Sequence, residues 1–159
     1  MRNSLILLTI LVTGCAGRVD ISNKELSSEL NGKCYSATTN MTVYSANTIP
    51  NTTYELISPK LKELPWRTSL APWEKAFTIN KGDELRITKV YESANGSSGH
   101  CWEIYATTKA HPEIEFEIPA CWLNHTMDNW VEPKYPSKQK QSNEKLRMNT
   151  DLLIVKKCI

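Results

Sequence analysis

The chain has 159 residues and a formal net charge of +2. That is the length of one domain with accessory segments, and the charge is too close to balance for a nucleic-acid footprint, so no nucleic-acid partner is expected. Trp is plentiful at five and Tyr at six, while Phe stands at two; together with the Val, Ile and Thr of the middle of the chain this favours strands over helices.

The chain opens with a brief basic start, Met1 to Ser4, followed by the uncharged run Leu5–Val12 (LILLTILV). The run is too short to span a bilayer, which takes about 20 residues as a helix, and suits the apolar region of a signal peptide. Next stands Leu11-Val12-Thr13-Gly14-Cys15-Ala16. It resembles the lipobox of bacterial lipoproteins, in which small residues let a peptidase grip extended backbone and the cysteine sulfur accepts diacylglycerol. The resemblance implies a signal peptide over residues 1–14 and a mature chain starting at a lipidated Cys15. Ala16 in place of Asp implies sorting to the outer membrane. Cleavage as an ordinary secretory signal is the alternative. Four sequons, at Asn40, Asn51, Asn95 and Asn124, would suit a eukaryotic secreted chain, but an Asn-, Ser- and Thr-rich sequence makes them by chance.

Five cysteines are an odd number. With lipid on Cys15, the remaining Cys34, Cys101, Cys121 and Cys158 form the even set expected of two disulfides in an exported domain. The alternative is that some are small buried hydrophobes.

Residues 15–31 are polar with weakly spaced Val19, Ile21, Leu26 and Leu30, and read as a lipidated tether, partly helical near the domain, with Ser22 as a helix cap and Glu25 three residues later. A single β-rich domain is expected over residues 32–159. Its first part, Lys33–Tyr44, is β-prone, with a bend at Asn40 and the best strand at Met41–Tyr44. Residues 45–75 carry Pro50, Pro59, Pro65 and Pro72 and read as a long irregular insertion. Ala76–Ile79 is a candidate strand, Lys81-Gly82-Asp83 a turn, and Glu84–Tyr91 a strand. Asn95-Gly96 signals a hairpin, His100–Thr107 returns, and Lys109–Pro112 turns again. Glu113–Ala120 alternates, with Ile114, Phe116, Ile118 and Ala120 on one face and Glu113, Glu115 and Glu117 on a solvated one. Residues 124–150 read as a polar loop or extension, and Asp151–Val155 as a last short strand.

The turn near Ala110-His111 places Cys101 and Cys121 at nearly equal distances along two antiparallel strands, within disulfide reach. Cys34 and Cys158 lie near the two ends of the domain, where a bridge would tie down the C-terminus. Four cysteines allow three connectivities and sequence alone leaves the choice open; the expected pairing is Cys34–Cys158 with Cys101–Cys121.

Lys81-Gly82-Asp83-Glu84-Leu85-Arg86-Ile87, followed after a turn by Cys101-Trp102-Glu103-Ile104-Tyr105, resembles bacterial SH3-like domains over residues 33–123. The resemblance implies that Gly82 makes a turn and Trp102 packs inside a barrel. The Asn-Val-Arg-x-Gly-Pro stretch and the Gly-Trp-Val ending of those domains are missing. The expected fold is therefore mainly β: a small antiparallel barrel or sandwich, SH3-like or not, stapled by disulfides.

The sequence carries no catalytic constellation and implies no enzyme, cofactor or metal. His100 and Cys101 are adjacent on a strand and point to opposite faces. There is no Gly-x-Ser-x-Gly, His-Glu-x-x-His, phosphate loop or zinc-ligand spacing. His111 and His125 read as surface turn residues. Trp102 and Trp122 read as core. Trp66, Trp73 and Trp130 fall outside the expected strands, and Trp66, Arg67 and Trp73 are the candidate binding residues, because exposed Trp supplies large rigid contact area; the alternative is that the insertion folds back and buries them. The expected function is an outer-membrane-anchored, non-enzymatic envelope lipoprotein, facing the periplasm, whose module binds peptidoglycan or an envelope protein. The alternative is a protective lipoprotein: an immunity protein, an enzyme inhibitor or a phage or plasmid exclusion factor.

Overall fold

The computed structural model describes residues 16–47, 51–57, 73–95, 100–120, 130–132 and 144–158. In chain order the strands are β1 (Ala16–Asp20), β2 (Cys34–Ala37), β3 (Met41–Asn47), β4 (Thr52–Ile57), β5 (Trp73–Ile79), β6 (Glu84–Asn95), β7 (His100–Thr108), β8 (Phe116–Ala120), β9 (Val131–Glu132), β10 (Arg147–Met148) and β11 (Leu153–Lys156). Nine of them form one sheet, ordered β11-β2-β6-β7-β8-β4-β3-β5, with β1 also pairing β6; β9 and β10 form a second, two-stranded sheet. The large sheet curls into a half-barrel, so the mainly β expectation holds. Neighbours run antiparallel except β4 and β8, which meet in parallel at Glu55 and Glu117.

Strands β6, β7 and β8 are the spine. Alternation builds it: Leu85, Ile87, Val90, Ile104, Ala106, Phe116 and Ile118 are fully buried, while the residues between them face outward. A bulge lies between Ile87 and Lys89; it adds a residue, Thr88, to one strand and sharpens the local twist. The β7–β8 register pairs Trp102 with Ala120 and Ala106 with Phe116, symmetric about His111 as the sequence predicts. Strand β8 opens at Phe116 rather than Glu113, and Ile114 packs against the core from the preceding turn. The turn into β6 is made at Gly82, whose φ of 93° lies in the left-handed region open to glycine. The Asn40 side chain accepts from Lys81 N at 2.8 Å, so the bend between β2 and β3 braces the turn between β5 and β6.

Three parts of the chain differ from the sequence expectation. The stretch read as a tether is part of the fold from Ala16 onward. Strand β1 pairs with β6, Ile21 and Leu30 are in the core, and Gly32 N donates to Ile87 O. Burial of these two side chains, at about 1.5–3 kcal/mol each, outweighs the freedom of a polar linker. The helical turn is a short 3-10 segment, Glu25–Ser27, with no side-chain cap. Ser22 instead accepts from Val90 N at 2.9 Å, tying this segment to β6.

The insertion 45–75 is not irregular throughout. Strand β3 runs on to Asn47, and β4 pairs with it from Thr42–Ile57 to Asn47–Thr52. Strand β5 begins at Trp73, earlier than expected. The prolines that argued against ladders, Pro50, Pro59, Pro65 and Pro72, lie outside the described residues.

The polar loop 124–150 is docked at both described ends. Trp130, Val131, Leu146 and Met148 are buried, Asn149 N donates to Trp130 O, and Leu146 N donates to Leu26 O at 2.7 Å. Four apolar side chains scattered through a polar stretch lack a readable period, yet all four join the core.

Candidate functional site

Arg18 stands at the centre of the best-defined surface cluster. Strand β1 aligns it opposite Ser93 of β6. Its guanidinium carbon lies 3.8 Å from the Tyr91 ring centroid and 5.2 Å from that of Tyr105. The two rings meet edge to face at 5.9 Å, and Arg18 Nε donates to Glu103 Oε2 at 2.7 Å. A planar cation stacked on aromatic faces and bonded to a carboxylate is held in one orientation. Burial, helped by the Glu117 carboxylate, pushes the Tyr105 phenol well above its ordinary pKa.

Beside this cluster, Glu115 Oε1 accepts from Thr88 Oγ1 at 2.6 Å and Glu115 Oε2 pairs with Lys89 Nζ at 2.7 Å. The bond to Glu115 raises the Lys89 pKa. In the row read as a solvated face, Glu115 thus carries one ion pair and one hydrogen bond to β6, with Glu113 left exposed in the turn. Asp20, at the end of β1, is held below its ordinary pKa by hydrogen bonding from Ser22.

An open groove of about 400 Å³ lies where β5, the following turn and the β7–β8 turn converge, lined among others by Asp83, Glu84, Lys109, His111 and Lys156. Three of its charged groups are tied to protein partners. Lys156 pairs with Glu84 at 3.1 Å, and Asp83 Oδ2 accepts from Asn80 N at 2.7 Å. The His111 ring packs on Phe77 with centroids 4.3 Å apart, so this turn residue is half-buried rather than simply on the surface. Among the described residues no three His, Cys, Asp or Glu side chains come together to hold a metal.

Cys34 and Cys158 are disulfide-bonded, with Cα atoms 5.2 Å apart. Cys101 is also disulfide-bonded. Cys121 and the lipidation residue Cys15 lie outside the described residues, as do Trp66, Arg67, Trp122 and His125. Trp73 opens β5 opposite Ala46 and is half-buried, so the structure places one of the three candidate binding residues, on an edge strand. Trp102 is 5% exposed, as expected of a core residue. Trp130 is 1% exposed; it is core, not a recognition residue.

Sequence reasoning missed Arg18, Tyr91 and Tyr105 as a unit. Their only local signal is the alternation Arg18-Val19-Asp20-Ile21, a period-two pattern too short to outweigh the polar residues around it. Comparison with known proteins found no matching family, no matching curated protein and no matching solved structure.

Proposed function

We propose that this chain is an envelope lipoprotein, anchored through lipid on Cys15, sorted to the outer membrane and facing the periplasm, whose β-rich domain is a non-enzymatic binding module for peptidoglycan or an envelope protein. The observation that carries this reading is Leu11-Val12-Thr13-Gly14-Cys15 directly after an eight-residue apolar run. The disulfide state supports it: Cys34, Cys158 and Cys101 are all oxidised, as suits an exported domain, and Cys101 with Cys121 as its partner leaves Cys15 as the unpaired cysteine. The likeness to SH3-like domains belongs to this reading for the β6–β7 hairpin, on Gly82 at the turn and Trp102 inside.

Intact mass spectrometry of the mature protein tests the anchor. The expected species begins at Cys15 and carries a diacylglyceryl group; a chain with an unmodified Cys15 would overturn the reading. Sedimentation with purified peptidoglycan tests the module. Retention that drops on Trp73→Ala is expected if the cell wall is the ligand, whereas retention no greater than that of an unrelated lipoprotein removes the cell wall as ligand.

A further inference from the structure

We infer that the domain is seated directly on the lipid headgroups, with no linker between anchor and fold, and that the rim formed by the start of β1 and the end of β6 is the membrane-facing surface. The inference rests on lipid at Cys15 and adds the orientation and the contact surface. Strand β1 begins at Ala16, the residue after Cys15, and its five residues are in unbroken register with β6, from Ala16–Asn95 to Asp20–Tyr91. The segment continues without slack: Ile21 N donates to Val90 O at 2.9 Å and the Ile21 side chain is 1% exposed.

Distance then decides the placement. Consecutive Cα atoms are about 3.8 Å apart, and each further strand residue adds roughly 3.4 Å. The polar layer of one leaflet is on the order of 5–8 Å thick. An acylated Cys15 therefore holds Ala16 and Gly17, with their partners Asn95 and Ala94, at headgroup depth. A free linker of sixteen residues would have let the domain diffuse roughly 20 Å from the surface; here that freedom is absent.

Charge fits the same orientation. The register positions of β1 and β6 at the anchored rim, Ala16, Gly17, Ala94 and Asn95, are all uncharged, so these positions carry no ionic group that would lose water on seating; the titratable residue beside them is His100 of β7, opposite Ala94. The first charge of the mature chain is Arg18, and its guanidinium is held over Tyr91 and against Glu103. Tyr is favoured at a membrane–water interface, where one end of the ring is wet and the other apolar. The opposite end of β6 begins with Glu84 and Arg86. With twelve residues in the strand, that end stands roughly 35 Å along the strand from the rim.

The test uses the acylated protein in vesicles whose lipids carry a nitroxide on the headgroup. A fluorescent non-natural amino acid is placed at Gly17, where an added side chain meets nothing within 4 Å, or at exposed Lys81 beyond the far end. Quenching at Gly17 is expected to exceed that at Lys81 at least threefold, and a ten-residue Gly-Ser insertion between Cys15 and Ala16 is expected to abolish the difference. Equal quenching at the two positions, or a difference that survives the insertion, overturns the seating. Intact mass of the same samples separates the two ideas: an unacylated Cys15 sinks the lipoprotein reading itself, whereas acylation with equal quenching sinks only the seating.

Discussion

Removing the Cys34–Cys158 bridge should cost the domain several kcal/mol of stability without changing its fold. The bridge spans 124 residues, and closing a loop of that length in the unfolded chain corresponds to about 5 kcal/mol in the chain-entropy description. Native-state contacts around it are modest. Strand β11 is a four-residue edge strand with Ile154 54% and Val155 62% exposed. Besides its four-residue ladder with β2, it is held by Leu153, buried for about 2 kcal/mol, by Thr38 Oγ1 donating to Asp151 O at 2.6 Å, and by the Lys156–Glu84 pair. The suitable variant is Cys34→Ala with Cys158→Ser. Cys34 is 1% exposed, so a serine hydroxyl there would be buried without a designed partner, whereas Cys158 is exposed. Allowing for retained structure in the unfolded chain, the expected loss is about 3–5 kcal/mol. That is a fall in the urea midpoint of about 2 M at a slope near 2 kcal/mol/M. Cys101 keeps its bridge in both proteins, so the comparison isolates one cross-link. Equilibrium urea unfolding followed by tryptophan fluorescence reads it. A loss below about 1 kcal/mol, with the wild-type bridge verified by non-reducing peptide mapping, would refute the entropic reasoning.

The same peptide mapping should return Cys101 joined to Cys121, because Cys101 is disulfide-bonded and the β7–β8 register pairs Trp102 with Ala120, the residues next to the two cysteines in sequence; a Cys34–Cys101 peptide would contradict it. Burial, reinforced by the Glu29 carboxylate, pushes the Tyr35 phenol up to about 12, and its hydroxyl donates to Glu29 O at 2.8 Å. With the folded pKa above the unfolded one, this contribution to stability is complete below pH 10 and is lost as pH rises toward 12. Ultraviolet titration should therefore show Tyr35 ionising later than an exposed tyrosine, and Tyr35→Phe should flatten the alkaline fall in stability; an unchanged profile counts against the assignment. Trp130→Ala should cost about 3–5 kcal/mol, since it empties a fully buried site, while Trp73→Ala, at a half-buried edge position, should cost less than about 1 kcal/mol; comparable losses in thermal unfolding would overturn that ranking. A double-mutant cycle on Arg18→Ala and Glu103→Ala should give a coupling of only about 0.2–1 kcal/mol, because the Arg18 side chain is 46% exposed, and Tyr91→Leu should lower the protection of β1 amides from hydrogen exchange.

The legible parts of this fold are those whose signal is local. The alternation of Phe116 and Ile118 against Glu115 and Glu117 announces β8 and its buried face, and Lys81-Gly82-Asp83 announces a turn that only a left-handed residue completes. The midpoint at His111 could be read because a hairpin register is set by its turn. Trp73 and Trp130 were not separable by sequence, both standing in polar surroundings. One came to lie on an edge strand and the other in the core because of what packs over them.

The sequence by itself determined the β-rich composition, the turns of the central hairpins, the C-terminal strand and the proposal of a lipid-bearing Cys15. Each follows from residue chemistry within a few positions. Only the tertiary structure decided that residues 16–32 belong to the domain, that β4 lies inside the presumed insertion, and that Arg18 rests on Tyr91 and Tyr105. Those outcomes depend on pairings across tens of residues, such as Ala16 with Asn95 and Leu146 with Leu26. Burial gained at such distances overrides a polar local sequence, which is why a segment that reads as a tether folds as a strand.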